Sequence, residues 1–538
     1  MHGTRNRAAR RGRPRPRRNI RFRRASPGFM ERIGIHEQVR PAGTLRGIHP
    51  GPVRSIAAFP PCRKRNSRIR IPAGPARWIF SKWRNRTRLA ERRPVGRPPG
   101  VCPQRRPHPH HARPVPVRRS KGVAMTLLPL IPGENRFAEA VSGREMARAA
   151  KESARRHGFD LAGIAPPDLH SAHGRYLEWI ERGYAGKMAY LTRRPEVRKD
   201  LRHVWPETRS ALVVAMRYRP IDGPNGNAPP GESPSGKIAI YAHGGDYHKF
   251  MKKRLIRVLR ELKEIDPSIE GRTYVDTGPI LERDLAVRSG IGWAGKNSLL
   301  LNRELGSYFF IGTLLLNRPL PADPPMERGH CGTCTQCIVE CPTNAIVAPG
   351  VVDSRRCISY LTIELRGPMP RELRALTGNH IFGCDICQEV CPWNDDAPFA
   401  AEPRFAPRAG TQAPNLHELI LLNEREFKNR FQGTPVMRAR YGGFLRNVAV
   451  AIGNTGDRAS LYPLSRALQH PEPLARGHAA WALGRIGTRT GTRTGIERIR
   501  RILEARLYLE NDEWVCEEIE LALGETMSAW SQPDNGVE

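Results

Sequence analysis

The stretches CGTCTQCIVECP, residues 331–342, and CDICQEVCP, residues 384–392, decide how this chain of 538 residues is read. The first runs C-x2-C-x2-C-x3-C-P through Cys331, Cys334, Cys337 and Cys341. The second keeps the last three cysteine positions as Cys384, Cys387 and Cys391, and Cys357 lies between the runs. A [4Fe-4S] cube takes four thiolates; two-residue gaps let three wrap one cube from a short loop, while the fourth, before the proline, points at the neighbouring cube. The expected assignment is therefore interleaved. Cys331, Cys334, Cys337 and Cys391 take one cluster; Cys341, Cys384 and Cys387 take the other, with Cys357 replacing the missing first cysteine of the second run. Paired C-x2-C elements also bind zinc. The C-x3-C-P ending of both runs and the count of eight favour two cubes.

Charge divides the rest. Of the net charge of +37, from 89 Lys+Arg against 52 Asp+Glu, residues 1–124 carry 34 of the basic and 3 of the acidic side chains, hence +31. This Arg/Pro-rich quarter lacks apolar periodicity and is expected to be disordered. It reads either as a nucleic-acid-binding arm or as a stretch not normally translated, with Met125 the expected start. No apolar run of signal-peptide length follows Arg17-Arg18 or Arg118-Arg119, and no transmembrane run is present, so a cytoplasmic protein is expected.

Between 125 and 320 strands and helices alternate, which predicts an α/β domain. Residues 143–157 have helical spacing behind a capping Ser142, and SALVVAMRY (210–218) and SYFFIGTLLLN (307–317) read as strands covered on both faces. YAHGGDYH (241–248) leads into a basic amphipathic helix. In RTYVDTGPILERDLAVRSGIGWAGKNSLLLN (272–302), Asp276 falls at the carboxyl end of a strand, where open sheets place ligand sites. Lys296 and Asn297 either contact a cofactor or close a turn. Residues 321–400 are expected to form the cluster domain and 401–525 a helical module, with 526–538 a tail. VAVAIGNTG (448–456) and AAWALGRIG (479–487) share A-x-A-[IL]-G-x-x-G, and small residues so spaced let helices stack as in HEAT-type solenoids. Arg446, Arg458, Arg476 and Arg485 are expected to give that module a basic rim able to track a phosphate backbone.

YVDTGPILERDLAVRSGIGWAGKNSLL, CISYLTIELRG (357–367) and GCDICQEVCPWN (383–394) together closely resemble epoxyqueuosine reductases, over about residues 140–490. The resemblance implies a nitroreductase-like α/β domain holding cobalamin, a ferredoxin-like insert with two [4Fe-4S] clusters, and a C-terminal HEAT-like module for tRNA. It implies Asp276 as proton donor and Arg283 as an active-site arginine. Arg198, Tyr241, Ser359 and Asp385 fall on or near family positions that contact the corrinoid, and Arg366, Arg446 and Arg476 are the tRNA-binding candidates. A monomer fed by a reductase, flavodoxin or ferredoxin is implied as well.

The chemistry agrees with this reading. Turning an epoxide into an alkene needs two electrons and a proton for the departing oxygen, so a low-potential metal centre, a relay and an acid must converge. Donation at neutral pH calls for an Asp276 pKa raised by burial. Two other readings are a corrinoid reductive dehalogenase, against which stand the missing export signal and the helical module, and a ferredoxin-type carrier, which leaves the α/β domain unexplained.

Overall fold

The structure is a computed structural model that describes residues 141–168, 170–221, 234–326, 328–489 and 492–530. The Arg/Pro-rich extension, with Cys62 and Cys102, lies outside the described residues.

Helix α1 (Gly143–Arg156) starts where expected: Ser142 accepts the Glu145 N–H, and the Glu145 carboxylate accepts the Ser142 N–H, a capping box. The four-stranded sheet comprises β1 (Leu161–Ala165), β2 (Ser210–Arg217), β3 (Gly271–Tyr274) and β4 (Phe309–Leu316), in the order β1-β2-β4-β3. Strands and helices alternate along the chain, yet every pairing in this sheet is antiparallel.

The period-2 alternation of β2 explains its unbroken apolar sequence. Leu212, Val214 and Met216 face one core with Met146 and Ala150 of α1 and with Met251, Leu255 and Val258 of α2 (Tyr247–Ile265). Ala211, Val213 and Ala215 face the other, with Leu201, Trp205 and Leu285, the last on α3 (Glu282–Arg288). Each large aliphatic side chain so buried contributes roughly 1.5–3 kcal/mol. The charges of α2 stay on its outer face, where Lys253 and Arg257 are exposed.

The cysteine segment is joined to this domain by a short parallel pairing of Lys237–Ile238 with His380–Phe382. Behind it stack α4 (Tyr441–Thr455), α5 (Pro473–Arg489), α6 (Arg493–Leu509) and α7 (Glu513–Trp530). The shared glycines mark the closest approaches: a Cβ on Gly453 would stand 2.9 Å from Ala482 Cα, and one on Gly484 would stand 3.0 Å from Ala522 Cα.

Two of the expected rim arginines are not on a rim. Arg446 is 1% exposed; its guanidinium donates to the carbonyls of Leu361, Leu365 and Gly367 at 2.5–2.9 Å and to Asn447 Oδ1. Arg476 is 8% exposed and held by Glu510, Nε to Oε2 at 2.7 Å and NH2 to Oε1 at 2.9 Å. Position within a helix fixes a face only once the neighbouring helices are known, and here the neighbours cover both arginines. No helix among the described residues is long and apolar enough to cross a membrane.

Candidate active site

Cys331, Cys334, Cys337, Cys341, Cys357, Cys384, Cys387 and Cys391 are all free thiols. Burial, and then the neighbouring charges of Cys331 and Cys334, push the Cys337 thiol up, and Cys391 is pushed up by burial and by Cys331, Cys337 and Cys334. Cys384 feels Cys357 and Cys341 in the same way, and Cys387 feels Cys384 and Cys357. Cys391 thus feels the cysteines of the first loop and Cys384 feels Cys341 and Cys357, while Cys387 also feels Cys337 of the first loop. Eight soft thiol donors are the number and kind that two iron–sulfur cubes require.

The loops are tied to the sheet domain by the GWAGKN turn. Lys296 Nζ donates to the carbonyls of Gly332 (2.7 Å) and Cys334 (2.9 Å), and Asn297 Nδ2 to that of Cys387 (3.2 Å). His380 is nearly buried and bonded to Thr377 O, a packing histidine.

Asp276 follows β3 in a three-residue turn closed by Thr277 N–H on Val275 O at 2.7 Å, with φ 56°. The positive-φ form of such a turn is rare and strained, and left-handed backbone costs most residues roughly 1–2 kcal/mol, less for Asp. Its side chain is 64% exposed, whereas the sequence leads one to expect a buried donor. Three groups reach it. Tyr247 OH donates to Oδ2 at 3.0 Å, His248 Nε2 lies 3.3 Å from the same oxygen, and both Glu282 carboxylate oxygens accept the Asp276 backbone N–H at 3.0 Å.

Packing fixes these partners. The Tyr247 ring stacks on Phe310 of β4, centroids 3.8 Å apart, and burial, then the Asp276 charge, keeps its phenol protonated. His248 Nδ1 lies 2.6 Å from Asp246 Oδ1. Burial opposes its charge, but bonds to Asp246 and Asp276 prevail and raise it to about 9, so at neutral pH both ring nitrogens donate. Glu282 is pushed up to about 8 by burial and then by the Asp276 charge.

Arg283 does not neutralise Asp276; it is exposed and donates to Ser298, 2.6 Å to Oγ. Tyr241 is near Asp276: burial first, then the charges of Asp276, Asp385 and Glu364, hold its phenol protonated. The backbone N–H and hydroxyl of Ser359 bond to the Cys357 sulfur. Asp385 is buried rather than open, accepting Ile240 N–H at 2.6 Å and Gln388 Nε2 at 3.0 Å. Arg198 is buried too, its NH2 3.2 Å from Tyr190 O and its guanidinium over the Tyr176 ring. Tyr190 itself is 48% exposed, with Arg438 over its ring and Glu364 paired to Arg438. Tyr247, His248, Glu282 and Tyr190 are site residues that the sequence does not single out. The DYH of YAHGGDYH is the available signal, but nothing in the sequence says that it faces VDTG.

Comparison with known proteins agrees with this arrangement. A model of the 4Fe-4S double cluster binding domain matches residues 330–394, which removes the zinc alternative, and one of HEAT repeats matches 443–524. The model described as epoxyqueuosine reductase QueG, DUF1730, matches 198–277. An epoxyqueuosine reductase of Pseudomonas aeruginosa is 41% identical over 349 residues, 64% of this chain and 95% of its own. A crystal structure of epoxyqueuosine reductase with a tRNA-Tyr epoxyqueuosine-modified stem loop is 29% identical with a TM-score of 0.65, covering 72% of this chain and all of that one. A Bacillus subtilis epoxyqueuosine reductase, solved with its catalytic aspartate loop swung out of the active site, is 30% identical with a TM-score of 0.65, over 71% of this chain and all of its own. With a double-cluster match over its cysteine runs, a strand-end aspartate, and a relative 41% identical along nearly its whole length, this chain belongs to the epoxyqueuosine reductase family.

Proposed function

We propose that the chain reduces the epoxide of epoxyqueuosine in tRNA to the alkene of queuosine, with Asp276 as the proton donor. The observation that carries this is Asp276 Oδ2, which Tyr247 and His248 hold at the carboxyl end of β3. Reduction consumes two electrons and two protons, and the oxygen leaves as water. Two cubes held by the eight cysteines would supply electrons one at a time.

Cobalamin is the further cofactor implied by the family. The residues near Asp276 suit it: the exposed Tyr190 and the half-buried Tyr241 would offer aromatic faces to a flat macrocycle and Asp276 a polar group to its amide fringe, with Ser359 at one remove on the Cys357 sulfur. Arg198 would act at one remove, through Tyr190 O, and Asp385 by holding the Ile240–Tyr241 backbone. When bound, the corrinoid supplies a strong low-potential reductant or nucleophile next to the epoxide. His248, charged at neutral pH and bonded to Asp276 Oδ2, supplies the proton that Asp276 passes to the departing oxygen, and Tyr247 keeps the carboxyl aimed. Arg283, anchored on Ser298, steadies the substrate side of the turn.

For tRNA, Arg366 remains a candidate, beside Arg438 and Arg440, whose charges it feels. A monomeric cytoplasmic enzyme fed by a reductase, flavodoxin or ferredoxin, with domain boundaries near 320, 400 and 525, completes the proposal. The test is anaerobic: the full chain, loaded with iron, sulfide and cobalamin, is given reductant and epoxyqueuosine-containing tRNA, and the nucleosides are read by mass spectrometry. Queuosine is expected. Loaded protein that forms none overturns the reading, and clusters without retained corrinoid favour an electron carrier.

A further inference from the structure

The Asp276 turn is held from two sides by different elements. Tyr247 and His248, both on α2, hold the side chain; Glu282, the first residue of α3, holds the backbone. Glu282 stands six residues beyond Asp276, yet both its carboxylate oxygens lie 3.0 Å from the Asp276 nitrogen, and Leu281 before it gives α3 no side-chain cap. An acid at the start of a helix ordinarily serves that helix's own N–H groups. This one is spent on a strained turn.

The placement is costly for a carboxyl. Burial and the Asp276 charge work against its ionised form, and only the Asp276 N–H, His248 and Lys252 favour it. Lys252 also ties the next residue of the turn, Nζ to Thr277 Oγ1 at 3.1 Å. Without an acceptor at the Asp276 N–H, φ of 56° would rest on the Thr277–Val275 bond and the side-chain contacts of Asp276 and Thr277 alone. Resting on the reading of Asp276 as the acid, we propose that Glu282 is a positioning residue that clasps the Asp276 turn and so fixes the point at which the proton is delivered.

A glutamine has the reach of Glu282 and one carbonyl oxygen for the N–H; an aspartate keeps the carboxyl group but withdraws it by one methylene. The loaded full-chain enzyme is compared as wild type, Glu282→Ala, Glu282→Asp, Glu282→Gln and Asp276→Asn. Since small misplacements of a reacting group are expensive, Glu282→Ala and Glu282→Asp should lose roughly tenfold or more in kcat, with KM for tRNA and cobalamin retention within about twofold. Glu282→Gln should stay within about threefold of wild type. Hydrogen exchange of residues 274–281 should rise in Glu282→Ala and not in Glu282→Gln, with exchange elsewhere unchanged. Wild-type kcat in both Glu282→Ala and Glu282→Asp while Asp276→Asn is inactive overturns the clasp alone. Glu282→Gln as impaired as Glu282→Ala also overturns it, because charge rather than reach would then matter. A fully active Asp276→Asn overturns the acid reading beneath it.

Discussion

His248 Nε2 lies 3.3 Å from Asp276 Oδ2, and the opposite ring nitrogen lies 2.6 Å from Asp246 Oδ1. The folded protein therefore binds the imidazole proton more tightly than the unfolded chain, at about 9 against an ordinary 6.5. A raised folded pKa gives stability that is full below the unfolded value and lost as pH rises through the folded one. The stability advantage of wild type over His248→Gln should be largest near pH 6, shrink from about 6.5 upward and vanish above about 9. Melting temperatures across that range check it, and a constant difference would show that His248 is not charged in the fold.

The buried guanidinium of Arg446 holds the carbonyls of Leu361, Leu365 and Gly367, in the segment that carries Cys357 and Ser359. Arg446→Ala should cost about 3 kcal/mol or more, since several buried acceptors lose their donor. The iron content should fall from about eight toward four as the second cube is lost. Thermal unfolding and iron analysis read both, and an unaltered melting temperature with full iron would contradict the role.

The interleaved ligand sets predict different losses for neighbouring cysteines. Cys391→Ser should disable the cube of Cys331, Cys334 and Cys337, although Cys391 is four residues from Cys387 in sequence, and Cys387→Ser should disable the other. Each variant should keep about four irons. A Cys391→Ser protein that lost the cube of Cys341 and Cys357 would overturn the assignment.

Arginines that reach the surface should meet the tRNA: Arg440 is exposed, and Arg366 is partly buried with its guanidinium on the carbonyls of Ile363, Ala439 and Arg438. Charge reversal at Arg366 and Arg440 should weaken tRNA binding and reduce the slope of log affinity against log salt by about 0.7–0.9 for each phosphate no longer neutralised. Binding by Arg476→Lys should fall only with stability, because Arg476 is spent on Glu510. Titrations at several salt concentrations separate the two.

The parts legible in the sequence are those set by local spacing. The cysteine runs announce their clusters, the unbroken apolar run at 210–218 announces a strand covered twice, and Gly453 and Gly484 announce close helix packing. Strand direction is hidden, because alternation of strands and helices does not state which way each strand runs. The arginines mislead for a related reason: Arg446 and Arg476 look like solvated charges until the carbonyls and the carboxylate that hold them are brought up from elsewhere in the chain. Asp276 is found by motif, but its partners lie 28, 29 and six residues away, and only folding brings them together.

The most direct test of the central claim is turnover by Asp276→Asn in the fully loaded enzyme, followed as queuosine formed in a single anaerobic turnover. Asparagine keeps the shape of the turn and can still meet Tyr247 and His248, but has no acidic proton to give. The account predicts about eight irons, retained cobalamin, unchanged tRNA binding and a rate lowered by roughly 100-fold or more. Queuosine formed at the wild-type rate would contradict it.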